Sequence, residues 1–142
     1  MSYNNNPIFA IFYKKGAQMN VFDIMSTNPI TIGEGKSLKY ALELMRENNI
    51  RHLPVLKAGK ASGILSERDI RFLEGYERVD LEELSVSDAF TDDLYSVSPD
   101  ESVKSASKLM FENKIGSLLV KKDQDLVGII TWIDILKYVS NN

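Results

Sequence analysis

The sequence predicts an α+β fold built from two tandem β-α-β-β-α units, and three observations lead there. Residues 21–73 align with residues 86–138 at a constant offset of 65, without a gap and with 17 of 53 positions identical. Within each copy, one stretch has apolar residues at helical spacing, followed by two short apolar runs separated by turn residues. Each copy then closes on a related phrase, Gly63-Ile64-Leu65-Ser66-Glu67-Arg68-Asp69 and Gly128-Ile129-Ile130-Thr131-Trp132-Ile133-Asp134. One register held this long marks a duplicated unit.

The elements follow in order. A short strand is expected at Ile30–Ile32 and at Tyr95–Val97. An amphipathic helix comes next, signalled by Leu38, Ala41, Leu42 and Met45, and in the second copy by Val103, Ala106, Leu109 and Met110. Asn48-Asn49 and Asn113-Lys114 end these helices in residues suited to helix termini and turns. Two apolar strands follow in each copy, Leu53–Lys57 with Ser62–Leu65 and Leu118–Lys121 with Leu126–Ile130. Ala58-Gly59-Lys60 and Asp123-Gln124-Asp125 are their hairpin connections. A second helix starts after Ser66 and after Thr131. A 53-residue unit buries little surface alone, so the two copies are expected to pack as one body. The resulting division is an N-terminal extension (1–20), repeat 1 (21–73), a linker (74–85), repeat 2 (86–138) and a short tail (139–142). In the extension, Asn4-Asn5-Asn6-Pro7 has a disorder-like composition and Ile8–Tyr13 is a candidate edge strand.

Composition narrows the function classes. The 142 residues are 44% apolar and 26% charged, which excludes collagen-like and low-complexity chains. With no cysteine, thiol catalysis and thiolate metal sites are excluded, and the single histidine, His52, argues against a histidine zinc site. The net charge of −3 argues against broad affinity for nucleic acid, for which only Lys14-Lys15 and a modestly positive first repeat speak. No apolar run approaches a membrane span, and Pro7–Tyr13 is too short and lacks the basic flank of a signal peptide, so a soluble, cytoplasmic protein is expected. No nucleophile elbow, Walker-type loop or acid–base pair is present, so no enzyme activity is expected.

The closing phrase of each copy has two readings. Ser or Thr at a helix N-cap with an acid three residues later forms a capping box, worth ~1 kcal/mol. Alternatively, the helix start offers free N–H groups to a phosphate, and the carboxylate can accept ribose hydroxyls. Both readings use the same atoms, and the phrase alone leaves them open.

The doubled unit, its Gly-h-h-Ser/Thr-x-x-Asp closings and the opening Asp23-Ile24-Met25-Ser26-Thr27-Asn28-Pro29-Ile30-Thr31-Ile32 resemble the CBS domain pair, over residues 20–140. The resemblance implies two copies packed through their sheets about a pseudo-twofold axis, with two clefts. In relatives the clefts bind adenosine-containing ligands such as AMP, ADP, ATP or S-adenosylmethionine. Carried onto this chain, the first cleft would use Ser66 near phosphate and Asp69 on the ribose, with Ile30, Thr31 and Pro54 near the base. The second would use Thr131 and Asp134, with Tyr95 and Ser96 near the base. The resemblance also implies a homodimer, formed through the helices as a flat disc, and a regulated protein target that the sequence does not name.

The two clefts are not expected to be equal. Repeat 1 has a net charge of +2, repeat 2 of −3 and the linker of −4. Arg51, His52 and Arg68 in the first copy correspond to Gly116, Ser117 and Ile133 in the second, and guanidinium groups suit phosphate. Solvated surface charges are the plainer reading of the two arginines. The second copy also has Thr91-Asp92-Asp93-Leu94 where the first has Ser26-Thr27-Asn28-Pro29, and carboxylates facing the cleft there would repel phosphate. Trp132 reads as an interface or core anchor rather than a base-stacking platform, and Pro54 as the mark of a strand edge or start. Two functions compete: a regulatory module that binds an adenosine-containing ligand, with phosphate favoured in repeat 1, and a structural dimerisation module that binds none.

Overall fold

A computed structural model describes residues 19–141 of the chain. The expected edge strand at Ile8–Tyr13 lies outside the described residues. The elements run α1 (Val21–Ile24), β1 (Ser26–Thr27), β2 (Ile32–Gly33), α2 (Leu38–Glu47), β3 (His52–Lys57), β4 (Lys60–Ser66) and α3 (Glu67–Glu77). Then follow a 3-10 turn (Val86–Asp88), β5 (Thr91–Asp92), α4 (Val103–Asn113), β6 (Ser117–Lys122), β7 (Asp125–Thr131) and α5 (Trp132–Asn141). Every element of repeat 2 stands 65 residues after its counterpart.

The long helices form for the reasons their patterns give. Leu38, Ala41, Leu42 and Met45 of α2 are all buried, as are Val103, Ala106 and Met110 of α4. Ser37 and Ser102 cap them, each Oγ accepting the N–H three residues on at 3.0 Å. The left-handed backbones of Asn49 (φ 52°) and Lys114 (φ 54°) turn the chain out of each helix. The hairpins are tighter than expected. Ala58-Gly59 and Asp123-Gln124 form two-residue turns with both residues at positive φ, and Lys60 and Asp125 already belong to strands.

The sheets depart from two independent β-α-β-β-α units. One sheet is ordered β2-β3-β4-β5, the other β1-β7-β6. Strand β1 of repeat 1 therefore pairs with β7 of repeat 2 (Ser26 opposite Ile129), while β5 of repeat 2 pairs with β4 of repeat 1 (Gly63 opposite Asp92). Each repeat gives its opening segment to the other. The cores follow the same exchange: Val86 is buried among Leu38, Leu53 and Leu65 of repeat 1, and Val21 among Met110, Leu118 and Ile130 of repeat 2. Val21 N–H donates to the Glu101 carbonyl at 2.8 Å, and Val86 N–H to the Lys36 carbonyl at 2.7 Å, the same bond in both directions.

This exchange explains the glycines of the closing phrases. A Cβ on Gly63 would stand 2.2 Å from the Thr91 carbonyl oxygen, and one on Gly128 would stand 2.6 Å from Met25 Sδ and 2.8 Å from the Ser26 carbonyl oxygen. The crossing segments lie too close for any side chain. The expected first strands are correspondingly shorter. Pairing begins only at Ile32 opposite Val55, and in repeat 2 it is a single bridge, Val97 with Val120, because residues 28–31 and 93–96 span the gap between the sheets. Helix α3 runs to Glu77, into the stretch read as linker, before Arg78 turns out at φ 50°.

Candidate functional site

Each candidate cleft is assembled at the start of a helix. In repeat 1, Ser66 is both the last residue of β4, opposite His52, and the N-cap of α3, where its Oγ accepts the Asp69 N–H at 3.1 Å. In repeat 2, Thr131 stands opposite Ser117 and opens α5. The same backbone bond ties the preceding loop to each helix: Glu67 N–H to the Arg51 carbonyl at 2.9 Å, Trp132 N–H to the Gly116 carbonyl at 3.0 Å.

The acids differ. Asp134 completes a reciprocal capping box: its Oδ2 accepts the Thr131 N–H at 2.8 Å and the Thr131 hydroxyl at 3.2 Å, while its own N–H donates to Thr131 Oγ1 at 3.4 Å. Its carboxylate is committed to holding the helix start. In repeat 1 only half of this box forms. The Asp69 N–H reaches Ser66, but the Asp69 carboxylate has no hydrogen bond or ion pair among the described residues. One motif thus yields a cap in one copy and an available acceptor in the other.

His52 connects the two. It is half-buried, and burial holds its imidazole below the usual 6.5. Asp69 and then Asp134 pull the other way, and Arg51 adds to the lowering. An acid from each repeat is therefore within electrostatic reach of one imidazole. Arg51 and Arg68 are exposed, and neither makes an ion pair among the described residues.

The positions expected near a base differ in exposure. Pairing of β2 with β3 begins at Ile32 opposite Val55; just before these residues Ile30 is exposed, Thr31 is half-buried and Pro54 is buried. Pro54 lacks an N–H where β3 has no β2 partner, which suits the edge it occupies. Tyr95 and Ser96 hold the equivalent places before Val97, and both are exposed.

Two expectations are corrected. Asp93 does not offer a free charge to the second cleft: Lys121 Nζ lies 2.7 Å from its Oδ2 and also donates to the Ala61 carbonyl at 2.9 Å. Both side chains of this pair are largely buried (18% and 10% exposed), and it ties β6 of repeat 2 to β4 of repeat 1. Its counterparts in repeat 1 are Leu56 and Asn28, and that paired substitution was the one signal of it in the sequence. Trp132 is not a core anchor either. It is 46% exposed and leans on Gly116, where a Cβ would come within 3.2 Å of the indole.

Elsewhere, a surface groove of about 480 Å³ lies between α2, α3 and residues 79–82. It is lined by mixed charges, among them Lys39, Arg46, Arg71 and Glu82, and shares no residue with either cleft. No group of three metal-ligating side chains is assembled among the described residues, and no helix among them is long and apolar enough to cross a membrane.

Comparison with known proteins matches the CBS domain family model twice, over residues 21–74 and 86–141. The chain belongs to the CBS domain family. A CBS domain-containing protein of Bacillus subtilis, YhcV, is 30% identical over 116 residues, 82% of each chain. The CBS domain pair of protein MJ0100, solved with 5′-methylthioadenosine and S-adenosyl-L-methionine, superposes with a TM-score of 0.79 at 27% identity, covering 87% of this chain and 98% of that one. A hexameric cyanobacterial CBS-CP12 protein gives 0.78 at 26% identity, covering 84% and 67%. Among longer curated relatives the CBS pair is a small part: it matches 16% of the A-adding tRNA nucleotidyltransferase of Aquifex aeolicus, at 33% identity over 138 residues. The fold is that of a CBS pair, with the pseudo-twofold relation carried by the exchanged strands.

Proposed function

We propose that this CBS pair is a non-catalytic regulatory module that binds an adenosine-containing ligand, with a phosphorylated form (AMP, ADP or ATP) favoured in the repeat 1 cleft. The observation that carries the reading is the unpartnered carboxylate of Asp69. A carboxylate at a helix start can accept two ribose hydroxyls, and this one gives up no internal bond to do so. The N–H groups of the first turn of α3 and the unpaired guanidinium groups of Arg51 and Arg68 supply positive charge for phosphate. Pro54 with Ile30 and Thr31 offers a partly apolar edge for the base. The adenosine ligands held by MJ0100 support the ligand class. Ligand would act on a partner by favouring one arrangement of the two repeats over another.

Titration calorimetry with AMP, ATP and S-adenosylmethionine on the wild type, Asp69→Ala and Asp134→Ala tests this. Binding that falls at least tenfold in Asp69→Ala and little in Asp134→Ala is expected. Equal losses in both variants would remove the asymmetry. An unchanged melting temperature with every ligand would instead favour a ligand-free dimerisation module.

A further inference from the structure

The segments that cross between the two sheets are anchored differently in the two repeats. In repeat 1 the crossing ends in backbone bonds. Ile32 and Gly33 pair with Val55 and Leu56, and the Glu34 N–H extends the pairing by donating to the Leu56 carbonyl at 3.0 Å. In repeat 2 the residue equivalent to Glu34 is Pro99, which has no N–H to give. Pairing there shrinks to Val97 with Val120. The Val97 N–H donates to the Leu119 carbonyl at 3.0 Å, and the Lys121 N–H donates to the Val97 carbonyl at 2.9 Å.

The side chain at the equivalent of Leu56 makes up the difference. Lys121 holds the end of the crossing through its backbone, and its Nζ reaches back to the start, 2.7 Å from Asp93 Oδ2. Nζ also donates to the Ala61 carbonyl, and the Asp93 N–H donates to the Ser62 carbonyl at 2.9 Å, so both partners are fastened to β4 as well. A surface ion pair would contribute little. This one is largely buried and its hydrogen bond joins two charges. The first crossing has no such hold: Leu56 has no donor in its side chain, and the Asn28 side chain makes no hydrogen bond among the described residues.

We infer that Lys121 is the positioning residue of the second cleft: it stands in for the backbone bond that Pro99 removes and fixes residues 93–97, with Tyr95 and Ser96 between its two points of attachment. A short segment pinned at both ends has little freedom left to lose, so the rim of the second cleft is ordered before any ligand arrives. That Tyr95 and Ser96 border a ligand cleft rests on the function proposed above. That Lys121 holds them does not.

The test is residue-resolved hydrogen exchange on the full chain without ligand. Lys121→Met combined with Asp93→Asn removes the tie without stranding a charge. The amides of residues 93, 97 and 121 are expected to lose ~tenfold in protection, while those of Glu34 and of β3 keep theirs. Adding Pro99→Ala restores the missing donor, so residues 97 and 121 should regain protection with the lysine still absent. A general loss of stability would expose both repeats alike and would not respond to Pro99→Ala. Unchanged protection at 93 and 97, a loss shared equally by the two repeats, or no recovery with Pro99→Ala would overturn the inference. A chain that binds no adenosine compound in calorimetry would overturn the proposed function and leave the exchange result to decide on Lys121.

Discussion

Repeat 1 and repeat 2 share one backbone plan at a constant offset but use the same motif differently. At the end of repeat 2, Asp134 closes a full capping box and Trp132 covers Gly116. At the end of repeat 1, Asp69 leaves its half of the box open, and Arg51 and Glu67 stand where the glycine and indole stand in the other copy. The lesson is that Ser/Thr-x-x-Asp is not one device. The same pattern leaves the acid bonded to its own cap in one copy and without a carboxylate hydrogen bond among the described residues in the other.

The comparison can be broken most forcefully at the contact between the repeats. Lys121→Met should destabilise the protein by ~3 kcal/mol in urea denaturation, because it strands the largely buried Asp93. Leu56→Ala, at the equivalent place in repeat 1, acts only through packing, so restoring stability with Asp93→Asn should succeed for the first variant and not for the second. Next come the glycines. Gly63→Ala should cost ~2–3 kcal/mol, since the new methyl meets a backbone oxygen. Gly128→Ala should cost less, because the backbone oxygen it meets, that of Ser26, is farther off at 2.8 Å and its closest neighbour is the flexible Met25 side chain. Equal losses would mean that the two crossings are equally rigid. The caps sharpen the comparison further: Asp134→Ala should lose ~1 kcal/mol, while Asp69→Ala stays within ~0.5 kcal/mol of the wild type.

The smallest effect is in pH. His52 has a folded pKa below its unfolded value of 6.5, so the unfolded chain binds the proton first and folding stability falls as the pH drops through 6.5. The contribution is fully present above that pH. The slope is less than one proton, and His52→Gln should flatten it. Because Asp69 and Asp134 both oppose the shift, Asp134→Asn should steepen the slope even though it alters the other repeat.

Most of the architecture was legible in the sequence, because a constant offset and helical spacing report burial directly. Leu38, Ala41, Leu42 and Met45 announce their face, and it is the face that is buried. The strand exchange was not legible. Ser26–Thr27 and Thr91–Asp92 are two residues long and exposed, so no alternation of apolar and polar residues marks them, and their partners lie in the other repeat. For the same reason the strands expected at Ile30–Ile32 and Tyr95–Val97 were too long: those residues are extended in order to cross, not to pair. At the site, the motif residues were readable by type, but their states were not. Nothing in the letters Asp69 and Asp134 separates a carboxylate that bonds its own cap from one that does not. Lys121 with Asp93 was hidden for a related reason, since an ion pair between residues 28 apart leaves no periodic trace.

The exchanged openings also bear on how the chain reaches its fold. Ser26 finds its partner at Ile129, 103 residues later, so the second sheet is incomplete until the chain has been made as far as β7. A ribosome releasing the first repeat would leave the α1–β1 segment with nowhere to pair and the β4 edge uncovered. Closing so long a loop is slow for so small a protein, and it makes the final step all-or-none. Neither repeat expressed alone should reproduce its native hydrogen-exchange pattern, whereas the two supplied as separate polypeptides should recover it on mixing.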